Sequence, residues 1–299
     1  MQRKPDWLLK KKDITLNHDM KKMLRDLNLH TVCESASCPN ISECFKANTA
    51  TFMVLGDICT RGCKFCGVTK KKPQSIDPNE AQNIAEAVQK LNLEYVVITM
   101  VTRDDLPDGG AAHLSGIVSE LKKQNPKLLV EVLTSDFYAL ENYENLLKFA
   151  VKNLLESGVN VFGHNIETCE NLYPKIRTVA DYKRSLNVLK IIKALNGIAK
   201  TGIMMGLGET EADIKKTLKD ISGTGCDILT IGQYLMPSKA HYPLDRYVKP
   251  EEFEAWKEYA YNLGFKAVEA GPFVRSSYKA KEIYEKLKGD QNFAISTII

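Results

Sequence analysis

Six of the eight cysteines in this chain lie between residues 33 and 66, in two groups of three. Cys33, Cys38 and Cys44 follow a C-x4-C-x5-C spacing. Cys59, Cys63 and Cys66 follow C-x3-C-x2-C, with the aromatic Phe65 just before the last ligand. Soft thiolates on a short loop suit either iron–sulfur or zinc chemistry. Structural zinc wants four ligands, commonly as two C-x2-C pairs, and no second pair is present. An iron–sulfur cluster held by three thiolates instead leaves one iron open to substrate or to a non-thiolate ligand. Each group therefore points to chemistry at an iron with a free position.

The elements that must position these groups are legible from apolar runs. Strand-like runs fall at 51–58, 95–101, 128–133, 159–165, 198–205 and 227–231, with helical patterns between them at 78–91, 112–123, 181–195 and 211–221. An amphipathic helix is expected over 13–29, with Leu16, Met20, Met23, Leu24 and Leu27 on one face. Apolar strands alternating with helices of this length make parallel βα units, and six of them suit a barrel or partial barrel better than an open sheet. Barrel enzymes collect function at the C-terminal strand ends. Cys59, the stretches 102–105, 164–167 and 206–209, and Gln233 with Tyr234 all fall there.

Among these, Glu167 can accept from hydroxyl and amino groups, and Arg177 can grip a carboxylate as a planar fork. The plainer readings are a helix-end charge for Glu167, a surface ion pair for Arg177 and a turn residue for Asn165. Cys169 and Cys226 read as small buried hydrophobes. His164 reads as a hydrogen-bonding residue near the mouth rather than a ligand.

The chain has 299 residues, 44% hydrophobic and 26% charged, with a net charge of +4, an ordinary balance for a globular protein. No apolar run reaches membrane-spanning length, and the start lacks a signal-like segment. A cytoplasmic protein with reduced, metal-binding cysteines is expected. Nothing resembles a nucleic-acid module. Lysine runs at 10–12 and 70–72 read as solvated loop charge, with an acidic protein partner as the alternative.

The C-x3-C-x2-C loop after the first strand of a βα series resembles the radical S-adenosylmethionine (SAM) superfamily. The segment 33–44, Cys-Glu-Ser-Ala-Ser-Cys-Pro-Asn-Ile-Ser-Glu-Cys, resembles the auxiliary-cluster signature of the lipoyl synthase family. The similarity continues through 52–66, 102–111, 164–168, 206–210, 229–235 and 271–278, with Phe45 where the family often has Trp. Rival readings are a radical SAM methylthiotransferase, which would call for a separate cluster domain and an RNA-binding module, and a zinc-bound interaction module. The latter leaves the strand-end residues unexplained.

The resemblance implies a single-domain α/β fold, a partial (β/α)6 barrel of radical SAM type at 51–235. It implies an N-terminal extension at 1–50 with a helix and the auxiliary-cluster cysteines, and a C-terminal extension at 236–299 carrying Arg275-Ser-Ser-Tyr278. It implies two 4Fe-4S clusters and SAM as cofactors. The cluster at Cys59, Cys63 and Cys66 would chelate SAM and cleave it reductively to a 5′-deoxyadenosyl radical. The cluster at Cys33, Cys38 and Cys44 would be dismantled to give the sulfur, inserted at carbons 6 and 8 of a carrier-bound octanoyl chain. Asn165, Glu167 and Arg177 become SAM contacts. Segment 206–209 would lie along the adenine, while roles within 102–105 stay open.

Ser277 would be the fourth ligand of the auxiliary cluster, a harder donor than thiolate. From the residue pattern alone it reads as an N-cap for the run 279–288. The implied partners are an octanoylated lipoyl carrier domain or glycine-cleavage H protein, a flavodoxin- or ferredoxin-like electron donor, and a cluster carrier.

Overall fold

The computed structural model describes residues 3–10, 14–36, 38–46, 51–138 and 143–296. Its strands are β1 (His30–Thr31), β2 (Thr51–Val54), β3 (Ile58–Cys59), β4 (Thr69–Lys70), β5 (Tyr95–Met100), β6 (Leu129–Leu133), β7 (Val161–Gly163), β8 (Ala199–Met205), β9 (Ile228–Gln233) and β10 (Ala267–Gly271). Eight of them form one sheet in the order β1-β2-β5-β6-β7-β8-β9-β10. From β2 to β10 every pairing in that sheet is parallel, and β1 joins β2 antiparallel. Among the described residues β1 and β10 are edge strands, so the sheet is open. All six expected strands are present, because their apolar residues are buried on both faces.

The run at 51–58 is shorter than expected. It stops at Val54 because Leu55 and Gly56 turn left-handed, with φ of 68° and 91°. The Glu80 carboxylate holds the turn by accepting from the Leu55 amide at 3.0 Å. Ile58 and Cys59 consequently form a separate ribbon, in which Cys59 pairs with Lys70 across β3 and β4. The helix expected at 13–29 spans Ile14–Asp26, and Asp13 lies outside the described residues. Lys11 and Lys12 also lie outside them. Lys10 is not solvated loop charge, since it pairs with Glu43 and donates to Asn40 at 2.8 Å. Lys70 to Lys72 are exposed.

One sheet face is covered by the helices Glu80–Lys90, Ala111–Gln124, Tyr143–Glu156, Tyr182–Ala194, Glu211–Ser222 and Pro250–Asn262, which share one continuous core with Val96, Ile98, Val130, Val132 and Leu229. The other face receives the C-terminal helix Ala280–Ser296. Its Ile283 and Leu287 pack on Val161, Ile228 and Ala267, while Ala280 packs on Tyr95 and Val97.

That path carries residues 272–278 across the C-terminal strand ends. Two glycines make room for it. A Cβ on Gly232 would lie 2.3 Å from the Val274 carbonyl oxygen, and one on Gly202 would lie 3.3 Å from Ser276 Oγ. The Val274 carbonyl is backbone and cannot withdraw without moving the segment, whereas the Ser276 hydroxyl would have to give only a few tenths of an ångström. Among the described residues no helix is long and apolar enough to cross a membrane.

Candidate active site

The first cysteine group is folded by short local turns. Cys33 sits in the one-turn helix Val32–Ser35, capped by Thr31 Oγ1, which accepts from the Glu34 amide. The Cys38 amide bonds back to the Cys33 carbonyl at 3.0 Å, and the Cys44 amide to Asn40 at 2.9 Å. Burial dominates these thiols and is reinforced by their mutual repulsion, pushing Cys33 up to about 11 and Cys44 up to about 12. Hydrogen bonds from Thr51 only partly offset the rise at Cys33.

The second group lies on a loop tethered at nearly every residue. The Thr60 amide donates to the Thr102 carbonyl at 3.0 Å, Lys64 N to Ile176 O at 2.8 Å, and Tyr242 N to Lys64 O at 2.8 Å. His241 meets the Cys66 carbonyl at 3.1 Å, a support that no spacing in the sequence announces. The Arg61 amide donates to Cys59 Sγ at 3.4 Å. The Arg61 guanidinium is buried and ion-paired with both Asp104 and Asp136, each at 2.7 Å. Burial works against the Asp136 carboxylate, but Arg61 and Arg184 outweigh it and hold it well below the usual carboxylate range. Burial, with the like charges of the neighbouring cysteines, pushes Cys66 up to about 12, and burial also raises Cys63. A metal or cluster bound at either group would therefore have to expel protons.

The two cysteine loops touch. A Cβ on Gly67, the residue after Cys66, would lie 2.6 Å from the backbone oxygen of Ser35, between Cys33 and Cys38. This glycine is required by close approach alone.

The C-terminal segment runs beside the first group. Asn40 Nδ2 donates to the Phe273 carbonyl at 2.7 Å and Tyr278 OH to Glu43 at 3.0 Å, so the segment is laced to the first group. Its two serines face different ways. Ser277 Oγ accepts from Thr51 Oγ1 at 2.8 Å, and Thr51 is the same residue that contacts the Cys33 thiol. Ser276 Oγ accepts from Asn165 Nδ2 at 2.7 Å. The N-cap reading of Ser277 fails: the helix begins at Ala280, after Lys279 in a left-handed conformation with φ of 52°.

Asn165, Glu167 and Arg177 come together. Asn165 Nδ2 also donates to Glu167 Oε1 at 3.0 Å, and Arg177 Nη1 donates to the Asn165 carbonyl at 3.1 Å and to Tyr173 OH at 3.0 Å. Glu167 is not a helix-end charge. It has φ of 69° and bridges to Ile203, extending β7 along β8. Burial raises its carboxyl, opposed by Arg177 and Asn165. Nor is Arg177 a surface ion pair, being only 9% exposed. Its charge opposes the rise of the Cys63 thiol, and its Nε is buried without a partner. An unspent guanidinium donor beside a thiol and a carboxyl is a fitting anchor for a ligand carboxylate. His164 is fully buried, and burial with the Arg177 charge pushes it down to about 4, so it is neutral and structural, contacting the Thr134 carbonyl.

Other strand-end residues turn inward to hold loops. Glu209 accepts from the amides of Gly206 and Leu207 at 2.6 and 2.8 Å. Gln233 satisfies the backbone of Met205, Tyr234, Arg246 and Val248. The space beside Gly206 is filled by Arg246 and Gln233, whereas nothing lies within 4 Å of where a Gly208 Cβ would be. Only Gly208 leaves a face open to a ligand. Among the described residues no three His, Cys, Asp or Glu side chains converge on a single-ion site. An iron–sulfur cluster, with each thiolate on a different iron, spreads its ligands wider than one ion does.

The radical SAM superfamily model matches residues 53–221. A lipoyl synthase of Caldicellulosiruptor saccharolyticus is 50% identical over 283 residues, covering 94% of this chain and 97% of that protein. One from Geotalea uraniireducens is 48% identical over 282 residues, covering 94% and 97%. The crystal structure of methylornithine synthase superposes with a TM-score of 0.55 at 14% identity, over 84% of this chain and 74% of that one. Streptococcus suis SuiB bound to S-adenosylmethionine gives 0.55 at 12%, over 77% and 54%. These two share the fold alone with this chain.

Proposed function

Because this chain belongs to the lipoyl synthase family of the radical SAM superfamily, we propose that Cys59, Cys63 and Cys66 hold a SAM-binding 4Fe-4S cluster, and Cys33, Cys38, Cys44 and Ser277 an auxiliary one. The enzyme is a sulfurtransferase that inserts sulfur into an octanoyl group to form the lipoyl group. Sulfur enters at carbons 6 and 8 of a chain carried on a lipoyl domain or H protein. An electron donor of flavodoxin or ferredoxin type and a cluster carrier serve it. Residues 51–235 form a partial (β/α)6 barrel, with 1–50 and 236–299 as N- and C-terminal extensions.

The observation that carries this reading is the contact of the two cysteine loops at Gly67 and Ser35, with Ser276 and Ser277 turned to opposite sides. Reduced cluster and SAM together supply hydrogen abstraction from an unactivated carbon. The residues of the chain do the positioning. Arg177 offers its free Nε to the SAM carboxylate. Glu167 and Asn165 offer acceptors to its amino and hydroxyl groups. The C-terminal segment would tie the residues of the first cysteine group to Asn165 beside the SAM-binding residues.

Anaerobically reconstituted protein given SAM, dithionite and an octanoylated carrier should yield a carrier heavier by two sulfur atoms as the dithiol, or by two sulfur atoms less two hydrogens once the dithiol has been oxidised to the ring disulfide. An unmodified carrier alongside normal 5′-deoxyadenosine formation would defeat the substrate assignment. Ser277 is tested separately. Ser277→Ala removes one hydrogen bond worth about 1 kcal/mol, keeps SAM cleavage and loses most sulfur transfer. Ser277→Cys retains the auxiliary cluster with a less labile iron. Wild-type lipoyl yield from Ser277→Ala would remove the ligand role.

A further inference from the structure

Resting on the assignment of a SAM-binding cluster to Cys59, Cys63 and Cys66, we infer that Arg61, clamped by Asp104 and Asp136, is a positioning residue. It fixes a backbone N–H against Cys59 and thereby sets the reduction potential of that cluster. The geometry is unusually over-determined for a loop. Arg61 is 5% exposed, and its fork engages Asp104 through Nε at 2.8 Å and Nη2 at 2.7 Å, while Asp136 meets Nη2 at 2.7 Å. Asp136 is wholly buried and is gripped from behind by Arg184 at 2.7 Å, whose guanidinium lies 3.8 Å from the centre of the Tyr138 ring.

The preceding residue is locked as well. The Thr60 amide and hydroxyl both donate to the Thr102 carbonyl at 3.0 Å, and Thr60 Oγ1 accepts from the Asp104 amide at 3.2 Å. The peptide between Thr60 and Arg61 is thus held from both ends, and its N–H is the one that donates to Cys59 Sγ at 3.4 Å.

Burying such charges gives little net stability, because desolvation consumes most of the attraction. What the network does provide is one fixed orientation of that amide. A hydrogen bond to a cluster thiolate favours the more negative, reduced state, and such bonds are among the protein's means of setting cluster potential. One electron from a low-potential donor enters the cluster, and no atom is transferred. Lysine would keep the charge of Arg61 but cannot engage two carboxylates with a planar fork. Charge and orientation are therefore separable.

The test is an EPR-monitored potential titration, with dithionite as reductant, of wild type, Arg61→Lys and Asp104→Asn, each loaded to equal iron. Arg61→Lys should hold about tenfold less reduced cluster at a fixed solution potential, which is ~59 mV for one electron, and Asp104→Asn a smaller loss in the same direction, because removing its negative charge partly offsets the lost hydrogen bond. In the apo-protein, amide exchange at Arg61 read by mass spectrometry should quicken by about tenfold or more in Asp104→Asn, because the native hydrogen bond opens locally. If Arg61→Lys fails to load, Asp104→Asn and the apo exchange decide. A potential unchanged within twofold of the wild-type ratio, or a wild-type value in Arg61→Lys alone, overturns the inference. Absence of any SAM-cleaving cluster in the wild type would sink the underlying assignment instead.

Discussion

Alanine at Cys59, Cys63 and Cys66 together should reduce 5′-deoxyadenosine formation to background while about half the iron of the wild type stays bound. The loop would keep its course. Its tethers run through Thr60, Arg61, Lys64 and the Cys66 carbonyl, none of which needs a sulfur atom. Loss of activity in this variant therefore reports loss of ligands and not collapse of the loop. Iron and sulfide content, with product quantified by chromatography, checks it. Continued SAM cleavage would end the assignment of this group.

The matching substitution of Cys33, Cys38 and Cys44 should divide the reaction in two. With dithionite present, 5′-deoxyadenosine should still form, since Arg177, Glu167 and the second cysteine group are untouched. No lipoyl product should appear, because the sulfur source is gone. The N-terminal segment remains pinned through Asn40 to Phe273 and Glu43 to Tyr278, so the mouth of the site keeps its walls. Of the three thiols only Cys33 is buried, while Cys38 and Cys44 are half-buried, so little packing is lost with them. Thermal unfolding of the apo variant should therefore stay close to that of the apo wild type. A normal lipoyl yield would exclude the first group from sulfur delivery.

The chemistry of this protein was legible in its sequence wherever the responsible residues are close along the chain. Both cysteine groups are of this kind, because each gathers its three thiols within a short run, 33–44 and 59–66. The six strands at the centre of the sheet were legible for a related reason. A strand buried on both faces must be apolar throughout, and its pattern needs no knowledge of its neighbours. Even so, the first run did not end where its apolar composition ends, since the left-handed turn at Leu55 and Gly56 is held by Glu80 from a distant helix. β10 was missed because a short Ala-Val-Glu-Ala-Gly run carries little signal of its own and becomes a strand by pairing with β9.

What only the tertiary structure decided are contacts between residues far apart in sequence. Arg61 meets Asp104 across 43 positions, and Ser276 and Asn165 meet across 111. Nothing in the local pattern distinguishes Arg177, buried with one free donor, from an arginine on the surface. Glu209 and Gln233 fall at strand ends just as Glu167 does. The fold spends the first two on backbone groups of their own loops, and turns Glu167 toward Arg177. Neighbouring serines likewise acquire different partners, Thr51 and Asn165, only because the C-terminal helix packs on the sheet and draws its leading segment across the strand ends. Residue type and spacing set which atoms can do chemistry. Long-range packing sets which of them are left free to do it.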